Sequence, residues 1–458
     1  MLRRIGRGLD SLIDHYVAAA VVLALFILSL VGVGDVAAVS LLGLLLCVVG
    51  LGQAQPARAD LWILVPLLIY DLACMASALR TYGNIVDGYG ALHGIFPLLC
   101  LLSACVEGEG RRLLKGGCLL WAGTAAAVGI GQFAFQAVVQ GRVGRMSGVL
   151  GNPNAMGIFL VMGWALSTGW DQSEEEGGTA GLSFLGPLFL MAAAMTLSMG
   201  SFLAMAAGIG ALVWERKRTA PWRETFRYAC RLLAKASLGV GTGLLIYLAG
   251  ARTGAPWSCL PLLLYGGAVI ASWRTFGRFL EAKPRMAALI AGMGALVALT
   301  AVAARPSSVA TFTERLEMMG SGVSYLTAEP LFGVGPFQWR LLDLNDGGKY
   351  FNTWHIHNVP IHIGVEMGWI GMATILLAGF RALTRRQEPA ERAMTAAFLF
   401  HNMIDTSFFY LGITALALTA AGGPREEGRG LGVRGTKLLF ALLAALFAYS
   451  LYHTIALG

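Results

Sequence analysis

Three groups of residues in this chain have types and spacing that suit chemistry. The first is His355, His357, Asn358, His362 and Glu366, set directly before a long apolar run. A histidine at a boundary between water and an apolar phase can accept a proton near neutral pH, because its unperturbed pKa is about 6.5. His357 is therefore a candidate general base. A helix starting near Asn358 would put His362 and Glu366 four residues apart on one face, with His357 above, and imidazole with carboxylate at that spacing also suits zinc. No further acidic cluster supports the metal. The plain structural alternative is a set of histidines that satisfy helix-end groups. The second group is Arg315, followed by the turn-rich Glu329-Pro330-Leu331-Phe332-Gly333-Val334-Gly335-Pro336. By itself Arg315 also fits a surface arginine that anchors an interfacial helix to lipid headgroups. The third group is Arg142 and Arg145, then Gly151-Asn152-Pro153-Asn154. Asn152 or Asn154 can cap a helix whose first turn holds Pro153. A helix N-terminus favours anions, and two arginine forks match phosphate oxygens; an ordinary loop with a good cap is the alternative.

The elements that must position these groups are apolar. Of the 458 residues, 56% are hydrophobic and 13% charged, about half the charge of a soluble domain. The apolar runs are long and rich in Leu, Ala and Gly, which excludes an outer-membrane barrel of short alternating strands and predicts an all-α polytopic membrane protein. Runs near 15–33, 36–52, 61–79, 91–107, 116–139, 154–170, 181–197, 201–214, 232–250, 258–272, 286–304, 358–380, 391–408, 410–421 and 436–456 give 12 to 15 transmembrane helices. The basic Met1–Arg7 segment leads into a run reaching about Gly34, too long for the core of a signal peptide, and is expected to hold a first span inside. Seven cysteines lie in or beside apolar runs without metal or redox spacing, so they are expected to pack as small apolar residues.

Lys and Arg are retained on the cytoplasmic side. With a cytoplasmic N-terminus, 26 of the 34 fall on inner segments and eight on outer ones. The net charge of +8 then reports topology and not nucleic-acid binding. This orientation places one large loop, 305–357, outside, and makes Arg142, Arg145 and Arg315 exceptions to the bias. Within that loop Ser308–Leu326 is predicted as an interfacial helix, Pro330–Pro336 as a turn, Trp339–Leu344 as a short amphipathic helix and Asp346-Gly347-Gly348 as a turn. No repeat or linker divides the chain, so 1–458 reads as a single membrane domain. Asp71, and His401, Asn402 and Asp405 in the 391–408 run, are polar groups inside spans, where a partner or a cavity must compensate them. No Walker motif or dinucleotide glycine pattern is present. Work on a sugar or phosphate would therefore draw on an activated, membrane-borne donor.

Taken in order, Arg145 with Gly151-Asn152-Pro153-Asn154, Arg315 with Pro330–Pro336, His357-Asn358 with Glu366-Met367-Gly368-Trp369-Ile370-Gly371, and His401 with Asp405 resemble the O-antigen ligase/O-antigen polymerase superfamily of bacterial membrane glycosyltransferases, over roughly residues 120–420. The resemblance implies a GT-C-like fold in the bacterial cytoplasmic (inner) membrane, and a metal-independent transferase without a cofactor. Its donor would be a glycan on undecaprenyl diphosphate, and its acceptor hydroxyl would belong to a glycan, lipid or protein. His357 matches the family's loop histidine, which serves the acceptor, and Arg315 the arginine before the turn. Arg145 lies before the Asn-Pro-Asn motif, with Arg142, Asn152, Asn154, Asn358 and Glu366 expected around the diphosphate and glycan. Family members often carry Ser-Arg where this chain has Ser198-Met199, so that phosphate contact is missing or supplied elsewhere, by Arg142 or Arg145. A polysaccharide flippase or secondary transporter is the competing class. Such proteins show internal repeats and midplane sites, neither of which is evident here.

Overall fold

A computed structural model of the chain describes residues 2–31, 35–53, 56–89, 92–175, 182–252, 254–303, 307–350, 353–423 and 430–456. Arg305, the expected start of the long loop, and Arg425 and Arg429, expected on an inner segment, lie outside the described residues. Among the described residues there are α-helices and short 3-10 turns and no strand. Among the described residues six helices are long and apolar enough to cross a bilayer: Leu61–Tyr82, Gly108–Val138, Trp222–Gly250, Pro256–Ala282, Val359–Thr384 and Val433–Ala456. Six further helices carry shorter apolar stretches of 10–17 described residues. The chain is thus an all-α protein with the helices of a polytopic membrane protein. At the 391–408 run the helix Pro389–Asn402 stops and the chain turns. Large apolar side chains such as Leu264, Leu299 and Ile455 stand exposed on long helices, as contact with lipid requires.

Contacts divide the chain into two compact units. The first comprises Met1–Cys118, Thr313–Arg385 and Asn402–Gly458, the second Leu119–Phe312 and Arg386–His401. All seven cysteines are buried and unpaired to one another.

In the first unit Leu61–Tyr82 runs along Val359–Thr384. Asp60 caps the former through the Trp62 N–H and takes the Arg381 guanidinium of the latter at 2.7 Å. Arg385 donates to the carbonyls of Ala421 and Gly423, satisfying the end of Leu411–Ala421. The Val359–Thr384 helix is broken at Gly368, whose φ of 78° and ψ of −178° are non-helical. The break receives the Pro330–Pro336 turn. Val334 N–H donates to Val365 C=O at 2.8 Å, Gly335 N–H to Glu366 C=O at 3.1 Å, and Trp369 N–H to Pro330 C=O at 2.8 Å. Both contact glycines are required here. A Cβ on Gly333 would lie 2.4 Å from the Glu366 carbonyl carbon, and one on Gly368 would lie 2.1 Å from Leu331 O. Arg80 clamps the turn from outside, through Gly333 C=O at 3.3 Å and Glu329 at 2.9 Å.

The segment read as an outer loop is mostly helical. Ser307–Ala328 and Trp339–Asn345 match the expected helices within a few residues, and Gly348 N–H closes the following turn on Asp343 C=O at 2.7 Å. Met318, Leu326, Trp339, Tyr350, Ile356 and Val365 form a buried core that seats the segment on the first half of Val359–Thr384. In the second unit Trp222–Gly250 packs against Leu185–Met195, Pro284–Ala303 and Cys259–Ala282, while Pro153–Glu175 packs against Leu185–Met195 and Met199–Thr219.

Candidate functional site

Asn358 starts the site by starting a helix. Its side-chain oxygen accepts the Ile361 N–H at 3.0 Å, capping Val359–Thr384, and Pro360 occupies the first turn. The same side chain donates through Nδ2 to Met403 C=O at 3.0 Å. That bond ties the helix entrance to the turn after Asn402, where Asp405 sits. Asp405 is not on the helix of His401, as the 391–408 run suggested, because the helix ends at Asn402. Asn402 itself accepts the Phe408 N–H at 2.7 Å and the Ser407 hydroxyl at 3.1 Å, which holds the turn.

The Asp405 carboxylate lies between Arg315 and His357. Arg315 Nη2 is 3.4 Å from Oδ2, and His357 Nδ1 is 3.4 Å from Oδ1. The imidazole contact is a close ion-pair approach without aligned hydrogen-bond geometry. Arg315 also donates through Nη1 to Ile404 C=O, and Asp405 Oδ1 accepts the Thr406 N–H at 2.8 Å. The three side chains are not equally enclosed: Asp405 is 6% exposed, Arg315 20% and His357 24%. A carboxylate so placed can orient an imidazole once a hydrogen bond closes between them. It also leaves three of the five guanidinium N–H donors of Arg315 uncommitted to these two partners.

A second imidazole cluster lies beside it. His362 Nε2 is 3.0 Å from His355 Nδ1 and 3.3 Å from Glu366 Oε2, and both His362 and Glu366 are wholly buried. His362 Nδ1 accepts the Ile356 N–H at 3.3 Å, so the neutral ring carries its proton on Nε2 and donates from there. Glu366 Oε1 receives the Trp339 N–H at 3.5 Å. The His355 ring stacks on Phe409 with centroids 4.1 Å apart and meets the Tyr89 hydroxyl at 3.4 Å. The residue keeps intermediate exposure while its ring is enclosed. Burial first, and then the rings of His362, His357 and His93, push the His355 pKa well below the ordinary histidine range. The expected stack of His357 above His362 and Glu366 is therefore not formed. Bends on either side of Ile356 send His357 to Asp405 and give His355 the place next to His362. Among the described residues no group of three or more His, Cys, Asp or Glu is arranged to hold a metal ion.

In the second unit Asn152 caps Pro153–Glu175, accepting Asn154 N–H at 2.8 Å and Ala155 N–H at 3.2 Å. Arg145 donates through Nη2 to Asn154 Oδ1 at 2.6 Å and through Nε to Thr196 C=O at 2.8 Å. The arginine thereby spans from a helix start to the Thr196–Ser198 turn, directly before Met199. Arg142 is exposed, and among the described residues its side chain has no partner.

The structure thus joins Arg315, His357 and Asn358 in one unit, and Arg145, Asn152 and Asn154 in the other. Glu366, expected to meet substrate, has no exposed surface and meets His362 and the Trp339 backbone. Asp405 is the side chain that the sequence reading matched to a motif but did not place beside His357 and Arg315. Its signal was an acid four residues after His401 in an apolar run. No protein-family model matches this chain, and no curated protein matches it.

Proposed function

We propose that this chain is a membrane glycosyltransferase that moves a glycan from a polyprenyl diphosphate to an acceptor hydroxyl at the outer face of the cytoplasmic membrane. The observation that carries the reading is the Asp405 carboxylate held between Arg315 and His357 at a partly exposed helix entrance. Asp405 orients His357 through Nδ1, so that the other ring nitrogen takes the proton from the attacking hydroxyl. Such a base contributes roughly 10²–10⁴-fold. As the glycosyl–phosphate bond breaks, negative charge grows on the departing diphosphate. Arginines held at fixed positions stabilise that charge, and such preorganised electrostatics can be the largest single contribution to catalysis. Arg315 fills that role, with Asn358 holding the entrance. Glu366 acts at one remove, by keeping His362 and the turn in place. Attack opposite the leaving group inverts the anomeric centre. The long apolar helices keep the polyprenyl tail in lipid, and the O-antigen ligase and polymerase proteins that the motifs resemble supply the reaction class.

The test is incubation of the purified full chain with a polyprenyl-diphosphate glycan and candidate acceptors, scored by transfer and by release of polyprenyl diphosphate. If His357→Ala and Arg315→Ala both left transfer unchanged, the mechanism would be wrong. Loss of activity on chelation would favour the zinc alternative. For the sidedness, a single reactive cysteine at Asn345, an exposed position in the 305–357 segment, should label with an impermeant probe from outside intact cells. Labelling only after permeabilisation would reverse the topology.

The break at Gly368 is the observation that favours a transporter, since discontinuous helices hold substrate and ions in many of them. The freed carbonyls are, however, already taken. Glu366 C=O accepts from Ser77 Oγ at 2.7 Å and from Gly335 N–H, and Val365 C=O accepts from Val334 N–H. The break therefore serves to seat the turn.

A further inference from the structure

The basic residues of this chain are unevenly spread. Segments 214–235 and 274–285 hold 11 Lys and Arg against three Glu, a surplus equal to the formal charge of +8 of the entire chain. The remainder of the sequence is balanced. Retention on one side of a membrane explains why such residues lie at helix ends, but not why three of them, Arg216, Arg227 and Arg231, line one cavity.

That cavity, of about 190 Å³, opens where the end of Met199–Thr219 and the start of Trp222–Gly250 meet the end of Cys259–Ala282. It has room for several waters at about 30 Å³ each, and so for a phosphate group. Its sides are two ion pairs, Arg216–Glu224 at 3.8 Å and Arg231–Glu281 at 2.6 Å. Arg227 also lines it and, among the described residues, has no partner. Leu280 and Pro284 complete the lining with apolar surface. Exposed ion pairs of this kind contribute little, and Arg216–Glu224 is loose, so an arriving phosphate can draw on Arg216 as well as Arg227. Planar guanidinium forks match phosphate oxygens.

The surroundings decide between a free anion and a lipid. Trp222–Gly250 and Pro256–Ala282 are both candidate membrane spans, and the cavity lies at their ends. On the first turns of Trp222–Gly250, Trp222 and Phe226 are four residues apart on one face, 65% and 55% exposed. Arg223 and Arg227 form the neighbouring stripe, also exposed. Trp214, at the end of Met199–Thr219, is exposed likewise. Amphipathic aromatics at helix ends sit at headgroup level in a bilayer. We propose that this cavity binds the phosphate headgroup of an anionic diacyl phospholipid, with Arg227 as its central contact and the Trp222–Phe226 face against the acyl boundary. The site is independent of any transfer chemistry.

The experiment is native mass spectrometry of the detergent-solubilised full chain, titrated with dioleoylphosphatidylglycerol or dioleoylphosphatidylcholine. Wild type should hold the anionic lipid in preference to the neutral one, and millimolar inorganic phosphate should not displace it. Arg227→Gln should weaken the anionic lipid about fivefold, the share of one basic residue near an anionic surface. Arg227→Glu should weaken it further, and Arg252→Gln, an exposed arginine just past the other end of Trp222–Gly250, should leave it unchanged. Arg227 is exposed and unpartnered, so these variants keep the fold. Equal binding by Arg227→Gln and Arg252→Gln would overturn the proposal. So would equal binding of the two lipids, or displacement by phosphate alone, which would mark a free-anion site.

Discussion

The two histidine clusters at the entrance of the Val359–Thr384 helix share a chain segment but not an environment. His357 keeps about a quarter of its surface and faces a carboxylate that an arginine also holds. His355, two residues earlier, is enclosed by Phe409, Tyr89 and His362, and its neighbour pair His362–Glu366 has no exposed surface. An imidazole that must take and release protons needs access and a compensating charge. One that must hold a turn in an apolar core needs neither, and burial keeps it neutral. On the proposed reading, proton transfer belongs to the open cluster and architecture to the closed one.

The largest effect should come from the open cluster. His357→Ala should lower transfer by about 10²–10⁴-fold with the melting temperature held. Asp405→Asn should fall toward the same level, because residues acting as a unit do not add. Parallel losses of activity and of stability in both variants would break the comparison, since His357 would then be structural too.

The closed cluster should answer in the opposite way. His362→Ala removes the partner of a buried carboxylate and of the Ile356 N–H. Leaving such groups unsatisfied costs about 1–3 kcal/mol each. The melting temperature should therefore fall before any change in the activity of the protein that remains folded. A normal melting curve with lost transfer would move His362 into the chemistry.

Much of this was legible in the sequence, and its limits have physical causes. The apolar runs, the helices Ser307–Ala328 and Trp339–Asn345 and the cap at Asn358 follow from periodicity and cap chemistry, which are local. The pairing of Gly333 with Gly368 was not legible, because it joins two short motifs through backbone contacts that leave no periodic trace. The separation of His355 from His357 was hidden for a related reason. Bends on both sides of Ile356, and not a regular element, decide where each ring points. Asp405 was misplaced by the assumption that an apolar run is one helix. The run from 391 changes direction after Asn402, whose side chain caps the new turn.

A smaller effect separates the clusters by pH. In the folded chain the His355 pKa lies well below its ordinary value, chiefly through burial. The unfolded chain takes up a proton on this residue as pH falls through about 6.5, and the folded chain does not. Stability therefore declines as pH drops below about 6.5, by up to about 1.4 kcal/mol per pH unit, until the folded pKa is reached. Melts of the detergent-solubilised protein at pH 7.5 and pH 5.5, beside His355→Phe, read this directly. The variant keeps a ring for Phe409 and should show a shallower pH dependence. An unchanged slope would place the acid sensitivity elsewhere.

The smallest expected difference compares two asparagine caps. Asn152 and Asn358 each satisfy the first turn of a helix, and loss of such a cap costs about 1 kcal/mol. Asn358 has a second duty, since its Nδ2 holds the Met403 carbonyl and with it the turn that carries Asp405. Asn152→Ala should thus lower the melting temperature slightly and leave the transfer rate of the folded protein unchanged. Asn358→Ala should lower the melting temperature by a similar amount and also lower that rate, because Asp405 is then free to leave His357. Measuring transfer by the folded protein for both variants separates a cap that only starts a helix from one that also positions the base. If both variants transferred at the rate of the parent, the tie from Asn358 to the Asp405 turn would have no part in holding His357.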